Sequence, residues 1–177
     1  EHSYPKELDM LASLVDGMNE GGEGMNAGAA VGKRGTNEQG NKNGVNLSTA
    51  LSVIEMCYGD TALLLSMPRQ GLGNSAIAAV ANEEQLERFK NTWAAMAITE
   101  PNCGSDSAAI RTTATKVGDD YILNGEKIFV TSGERADAIV VWATLDKKLG
   151  RSAIKSFVIP KGTAGMTVER LEHKLGI

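Results

Sequence analysis

Cysteine and histidine are scarce in this 177-residue chain, which contains two of each. Cys57 and Cys103 are too few for the disulfide framework of a small secreted domain, and they lack the paired spacing of a zinc site. His2 and His173 lie near opposite ends of the chain, which disfavours a Ser-His-Asp triad or a histidine-metal site. We therefore expect no bound metal and a reducing, intracellular setting.

The chain also lacks a surplus of positive charge and long apolar runs. Eighteen Lys and Arg against 22 Asp and Glu give a net charge of −4, which does not favour binding to nucleic-acid phosphates. The longest apolar runs, such as residues 138–145, have the length of a buried strand and fall far short of the roughly 18 residues of a membrane span. We therefore expect no nucleic-acid partner and no membrane span.

The first half of the chain has helical hydrophobic periodicity. This spacing predicts helices over residues 5–18, 47–67 with a break near Gly59, and 82–89. Asn82 followed by Gln85 matches a capping box at the start of the last helix. Residues 17–46 contain nine of the 20 glycines and predict a long Gly/Asn-rich loop. We therefore predict an α-helical domain over residues 1–92.

In the second half of the chain, apolar and polar residues alternate as they do in short strands, and turn residues lie between the apolar runs. The predicted strands cover residues 112–117, 121–123, 127–131, 138–145, 154–159 and 166–171. Gly118 and the Asn124–Gly125 pair are typical of hairpin turns. We predict a β domain over residues 93–177, an antiparallel barrel or sandwich, and hence an α+β fold.

Two glycine-rich stretches resemble nucleotide-binding motifs but lack their context. Residues 71–76, GLGNSA, match a loose dinucleotide pattern but follow no predicted strand. Residues 28–34 approach a P-loop but are one residue short between the glycines and lack the Ser or Thr that meets magnesium. We predict a site at neither stretch.

Residues 96–106, MAITEPNCGSD, are more informative. An apolar run enters a tight loop containing Pro101 and Gly104, whose backbone N–H groups can closely approach an anionic or polar cofactor. A plain turn, in which Thr99 and Ser105 cap the local backbone, explains the same residues. The residues alone leave both interpretations open.

Several separated motifs, taken in order, resemble the acyl-CoA dehydrogenase family. They are TEPNCGSD at 99–106, IRTTA at 110–114, YILNGEKIFVTSG at 121–133 and SFVIPKGTAGMTVERLEHKLGI at 156–177. The family's pattern runs TEPGAGSD, LNGxKxWITNG and KLGxR. The likeness is strong over residues 93–177, looser over 47–92 and faint before them.

The resemblance implies a flavoprotein oxidoreductase of fatty acid β-oxidation that binds FAD and converts a fatty acyl-CoA to its trans-2-enoyl-CoA. In that family a glutamate removes the α-proton, the β-hydrogen passes as hydride to flavin N5, and electron-transferring flavoprotein accepts the electrons. The implied partners are therefore acyl-CoA, electron-transferring flavoprotein, and further copies of the chain in a homotetramer or homodimer. The implied location is the cytoplasm, or the mitochondrial matrix in a eukaryote.

The resemblance assigns flavin-binding roles position by position. One segment corresponds to Met96, Ala97, Ile98, Thr99, Gly104 and Ser105, and the other to Phe129, Val130 and Thr131. The Thr99 position hydrogen-bonds the flavin ring, the Ser105 position meets FAD phosphate or bound substrate, and the Thr131 position lies near N5. A strand-end threonine that satisfies a neighbouring carbonyl is the other interpretation of Thr131.

The chain departs from the family pattern at several motif positions. Asn102 and Cys103 replace Gly and Ala in the first motif, and Phe129 replaces Trp in the second. The departures indicate a divergent branch of the family, whose preference for acyl chain length the sequence does not give.

No residue of the chain is predicted to be the catalytic base, because the family's glutamate lies in a C-terminal helical domain. The carboxylates considered and assigned solvated or ion-paired roles are Glu100, Glu126, Glu134 and Glu172. We therefore expect these 177 residues to be the front part of an enzyme and to be inactive alone. An acyl-CoA oxidase or a related flavin enzyme of the same fold, and a non-catalytic acyl-CoA or flavin-binding module, are the alternatives.

Overall fold

The computed structural model describes residues 5–19, 45–67 and 72–175. The described residues up to Trp93, together with those from His173, form one compact unit, and Ala94–Glu172 form a second. The first unit is helical and the second contains a β-sheet, so the predicted α+β class is confirmed. The exact domain bounds at 1–92 and 93–177 stay a prediction. Among the described helices, none has the length and apolar character that a membrane crossing needs.

The described part of the first unit consists mainly of α-helices. They are α1 Glu7–Asn19, α2 Val45–Cys57, α3 Thr61–Ser66, α4 Leu72–Val80 and α5 Glu83–Phe89. The predicted break follows Cys57, and the Asp60 carboxylate caps α3 by accepting hydrogen bonds from two of its first backbone N–H groups. Asn82 and Gln85 form the predicted capping box of α5. Residues 20–44, which include most of the predicted Gly/Asn-rich loop and all of residues 28–34, lie outside the described residues, as does His2.

Helix α4 was not predicted, because Gly73 and Asn74 have poor intrinsic helix propensity. Tertiary packing overrides that propensity, since Gly73, Asn74 and Ile77 are buried. The Asn74 side-chain amide also donates to the Thr92 carbonyl oxygen at 2.6 Å. Residues 72–76 of the loose dinucleotide pattern therefore lie within a helix rather than in a loop after a strand.

The second unit contains one open, mixed sheet. Its strands are β1 Ala94–Ala97, β2 Thr113–Val117, β3 Asp120–Asn124, β4 Ala138–Thr144 and β5 Ile154–Pro160. β4 is central, with β5 antiparallel along one edge and β1 parallel along the start of the other. β2 meets the end of β4 where Thr113 lies beside Thr144, and pairs antiparallel with β3 across Gly118, whose φ is +62°. The described strands therefore do not close into an antiparallel barrel, because the long excursion between β1 and β4 returns the chain in the same direction.

Strand β4 forms the centre of the core. All of its residues except Trp142 are buried, which explains its nearly continuous apolar sequence, because a central strand is covered on both faces. Of the other predicted strands, 127–131 and 166–171 are not strands in the structure. Residues 166–171 are mostly exposed and pair with no described strand.

Candidate functional site

The two segments assigned to flavin binding lie side by side. β1 ends at Ala97, and the chain then passes beside residues 127–128. The Ile128 N–H donates to the Thr99 carbonyl oxygen at 2.9 Å, and Lys127 Nζ donates to the Ile98 carbonyl oxygen, also at 2.9 Å. Both contacts go to the loop after β1 rather than to a neighbouring strand, and residues 127–131 do not form the predicted strand.

A tight turn follows Thr99. The Glu100 N–H donates to the Cys103 carbonyl oxygen at 2.9 Å, and the Cys103 N–H donates back to the Glu100 carbonyl oxygen at 3.1 Å. Cys103 is buried, whereas Asn102 at the tip of the turn and Gly104 after it are exposed. The extra side chains that distinguish this loop from the family pattern therefore point in different directions, one inward and one outward.

The Glu100 carboxylate is buried and fully engaged. Its Oε1 accepts hydrogen bonds from Lys127 Nζ at 2.8 Å, the Thr112 hydroxyl at 2.6 Å and the Thr112 N–H at 2.9 Å. Its Oε2 accepts one from the Arg111 N–H at 2.7 Å and one from the Cys103 thiol at 3.8 Å. We call Glu100, Thr112 and Lys127 the loop clamp, because together they join the turn after β1, the start of β2 and the second flavin-assigned segment.

Burial by itself raises the pKa of the Glu100 carboxyl, but the hydrogen bonds outweigh it. Those from Lys127, the Thr112 hydroxyl and the two backbone N–H groups lower the pKa from 4.5 to about 2. Glu100 is therefore ionised at neutral pH. The predicted ion-paired role of Glu100 is confirmed, but in a buried rather than a solvated environment.

Residues assigned to the flavin differ widely in exposure. Gly104, Ser105, Phe129 and Thr131 are exposed, Met96, Ile98, Thr99 and Val130 are half-buried, and Ala97 is buried. Phe129 stands out, because a bulky residue 58% exposed adopts the left-handed backbone region at φ +56°. The next turn, in which the Gly133 N–H donates to the Val130 carbonyl oxygen at 3.1 Å, follows directly.

Three hydroxyls of these segments fit a flavin chemically. Among the described residues, no hydrogen bond engages the hydroxyls of Thr99, Ser105 or Thr131, so all three are free to meet a ligand. A Cβ on Gly104 would meet only Thr99 Cγ2, at an ordinary 3.8 Å, and its φ lies outside the left-handed region. Packing among the described residues therefore does not require glycine there, and the open space beside Thr99 suits the close approach of a ligand.

Sequence reasoning did not predict that Thr112 and Lys127 belong to this site. Their partner Glu100 lies 12 and 27 positions away along the chain. No local sequence pattern indicates a contact over such a separation. Both residues nevertheless lie in motifs on which the family resemblance rests. Among the described residues, no cluster of three or more His, Cys, Asp or Glu side chains is arranged to hold a metal ion.

Comparison with known proteins identifies the family. Residues 95–177 match the family model for the acyl-CoA dehydrogenase middle domain. The short-chain-specific acyl-CoA dehydrogenase of Clostridium acetobutylicum is 38% identical over 148 residues, which cover 79% of this chain and 39% of that protein. The chain belongs to the acyl-CoA dehydrogenase family.

Solved structures of acyl-CoA dehydrogenases have the same fold. Butyryl-CoA dehydrogenase from Megasphaera elsdenii matches with a TM-score of 0.69 and 33% identity, over 92% of this chain and 42% of that one. Glutaryl-CoA dehydrogenase from Mycobacterium smegmatis, in complex with FADH2, matches with a TM-score of 0.68 and 28% identity, over 93% of this chain and 41% of that one. The chain thus spans about two fifths of the length of these relatives, which are oxidoreductases of a family that uses FAD.

Proposed function

We propose that this chain contributes FAD-binding loops to an enzyme that oxidises a fatty acyl-CoA to its trans-2-enoyl-CoA. The observation that carries this proposal is the hydrogen bond from the Ile128 N–H to the Thr99 carbonyl oxygen, which joins the loop after β1 to the segment that continues into Phe129 and Thr131. The two joined segments contain unpaired hydroxyls and an exposed aromatic ring. When bound, FAD would supply the acceptor for the hydride that leaves the β-carbon of the substrate.

The residues of the two segments have distinct proposed roles. The hydroxyls of Thr99 and Thr131 donate hydrogen bonds to polar atoms of the flavin ring, which stabilises negative charge there when the ring is reduced. The Phe129 ring offers a flat apolar surface and excludes water from that contact. Ser105, exposed beside Gly104, donates to an FAD phosphate or to bound substrate. Met96, Ala97, Ile98 and Val130 contribute the supporting backbone of the two segments.

Glu100 is not the base that removes the α-proton. Its carboxylate is ionised, but its oxygens already accept five hydrogen bonds, and it is only 6% exposed. A carboxylate held in this way is poorly available to a substrate. The proposed reaction therefore takes its base from elsewhere in the enzyme, as the family resemblance implies.

The natural protein containing this sequence provides the test. The unaltered protein is expected to carry FAD, and anaerobic addition of an acyl-CoA should bleach the flavin absorbance. Thr131→Val removes one hydroxyl at nearly constant shape, so FAD should bind about fivefold to tenfold more weakly, as expected for the loss of one hydrogen bond. Thr115→Val, at an exposed threonine of β2, is the matched control and should leave FAD affinity unchanged.

The electron acceptor decides between the related functions. We propose electron-transferring flavoprotein as the acceptor, in which case the bleached flavin regains its colour when that protein is added and little oxygen is consumed. Rapid oxygen consumption with acyl-CoA would instead indicate an oxidase. Binding of FAD or acyl-CoA without any flavin reduction would contradict the enzyme and favour a binding module.

A further inference from the structure

The loop clamp holds a buried ion pair at the junction of the two flavin-assigned segments. Lys127 Nζ lies 2.8 Å from Glu100 Oε1, and the two side chains are 9% and 6% exposed. Arg170 and Glu172 in the same unit form a pair of equal length, 2.8 Å from Nε to Oε1, whose side chains are 72% and 31% exposed. The loop clamp is therefore desolvated in a way that a surface pair is not.

Stability alone accounts poorly for such a pair. Burying both charges removes them from water, and this cost largely cancels their attraction, so apolar side chains of similar volume often stabilise a protein as well or better. An ion pair has directional geometry, which an apolar contact lacks. Here the geometry is specific, because Lys127 donates both to the Glu100 carboxylate and to the Ile98 carbonyl oxygen.

These bonds lie on both sides of Thr99. Ile98 and Glu100 are each held by Lys127, and the Thr99 carbonyl oxygen between them accepts from the Ile128 N–H. The chain around Thr99 is therefore held against residues 127 and 128 at three consecutive residues, through the carbonyl oxygens of Ile98 and Thr99 and the side chain of Glu100. The distance between its hydroxyl and the residues that follow Ile128 depends on these bonds.

Phe129 follows immediately, with a backbone conformation that needs external support. A non-glycine residue in the left-handed region is strained and persists only when its surroundings determine it. Lys127 and Ile128 supply that support from the preceding side, and the turn from Val130 to Gly133 supplies it from the following side. Loss of Lys127 would therefore release both the Thr99 loop and the Phe129 ring.

We propose that Lys127 and Glu100 are positioning residues for FAD, which set the spacing between Thr99 in one segment and Phe129 and Thr131 in the other. This assignment rests on the proposed function, since it concerns the same flavin site. Neither residue contacts the flavin. Each acts through the backbone that presents the hydroxyls and the aromatic ring.

The test compares three variants of the natural protein with the unaltered protein, using FAD itself as the ligand. Lys127→Met keeps the length and apolar stem of the side chain but removes its charge. Lys127→Met combined with Glu100→Gln also removes the carboxylate charge that the single variant leaves buried and uncompensated. Arg170→Met breaks the exposed pair in the same unit and is the control. FAD affinity, the visible absorbance bands of bound FAD, and the thermal unfolding midpoint without FAD are measured for each.

The expected pattern separates positioning from stability. Lys127→Met should lower both the unfolding midpoint and FAD affinity, the latter about tenfold or more. The double variant should regain part of the unfolding midpoint that Lys127→Met loses, yet its FAD affinity should stay low and its flavin absorbance bands should stay shifted. Arg170→Met should match the unaltered protein in all three measurements.

Two outcomes would overturn the assignment while leaving the proposed function intact. One is recovery of FAD affinity in the double variant in step with its unfolding midpoint, which is the result of a purely structural role. The other is normal FAD affinity and absorbance in a folded Lys127→Met protein. Failure of the unaltered protein to bind FAD would overturn the proposed function and this assignment together.

Discussion

At the scale of single residues, Glu100 links the electrostatics of the site to the stability of the sheet unit. Its carboxyl has a pKa of about 2 in the folded protein, against 4.5 ordinarily. A group whose pKa is lowered by folding stabilises the folded state fully above its unfolded pKa, and loses that contribution as the pH falls toward the folded pKa. The pH window of interest for Glu100 is therefore from about 5 down to about 2.

Glu100→Gln should remove this pH dependence. In the unaltered protein the ionised carboxylate contributes about 3 kcal/mol to the free energy of unfolding above pH 5, and this contribution vanishes near pH 2. The difference between the unaltered protein and Glu100→Gln should therefore shrink as the pH falls, which urea unfolding at a series of pH values measures. Glu172→Gln, which breaks an exposed pair, should differ from the unaltered protein by less than about 1 kcal/mol throughout. A difference for Glu100→Gln that stays constant from pH 5 to pH 2 would contradict the linkage.

The sequence predicted the flavin-assigned residues only through motif resemblance, and their flavin contacts stay predictions. It predicted an ion-paired or solvated Glu100 but neither its burial nor its partners. Thr112 reaches Glu100 from the residue before β2, and Lys127 reaches it only after the chain has passed through β2 and β3. Local periodicity carries no information about contacts of this kind, since they depend on tertiary packing.

At the scale of elements, Gly125 is required for a different reason from the hairpin turn that the Asn124–Gly125 pair indicated. The Asn124–Gly125 pair predicted a hairpin turn, yet no strand follows it. A Cβ on Gly125 would lie 2.3 Å from Thr112 Oγ1 and 2.7 Å from Thr112 Cα. Glycine is therefore required there because the backbone passes close to the Thr112 of the loop clamp, and a sequence pattern does not separate that need from a turn.

Gly125→Ala should consequently affect mainly stability, and Gly104→Ala mainly FAD binding. The first should lower the free energy of unfolding by about 2 kcal/mol or more, since the added methyl group overpacks against backbone as well as side chain. The second should change that free energy by less than about 1 kcal/mol, because the added methyl group meets only one atom, at an ordinary distance. Gly104→Ala should instead weaken FAD binding, as measured by quenching of FAD fluorescence. Unchanged FAD affinity in this variant would argue against contact between Gly104 and the cofactor.

At the scale of the whole molecule, the sequence predicted the segregation of helices and strands better than the strand pairing. Strands β2 to β5 were predicted within a residue or so of their bounds, because alternation and turn residues are local properties. β1 was predicted only as an apolar run, and its parallel pairing with β4 joins segments about 40 residues apart. Such a pairing depends on the path of the chain between the strands, which periodicity does not encode.

The helical unit has an apolar face that suggests how the 177-residue chain behaves alone. Leu47, Leu51, Ile54 and Tyr58 recur at spacings that place them on one side of α2 and its continuation, and each is more than half exposed. A contiguous apolar face of this kind promotes association in water. The isolated chain is therefore expected to self-associate at micromolar concentrations.

Sedimentation equilibrium of two charge variants tests whether this face is responsible. Ile54→Glu places a charge at the centre of the face and should shift the chain toward monomer. Val53→Glu makes the same kind of change at a less exposed apolar residue on another side of α2, and should leave the association constant nearly unchanged. Equal shifts in the two variants would mean that added charge alone opposes association. A monomeric unaltered chain would mean that the exposed face of α2 is not enough to drive association.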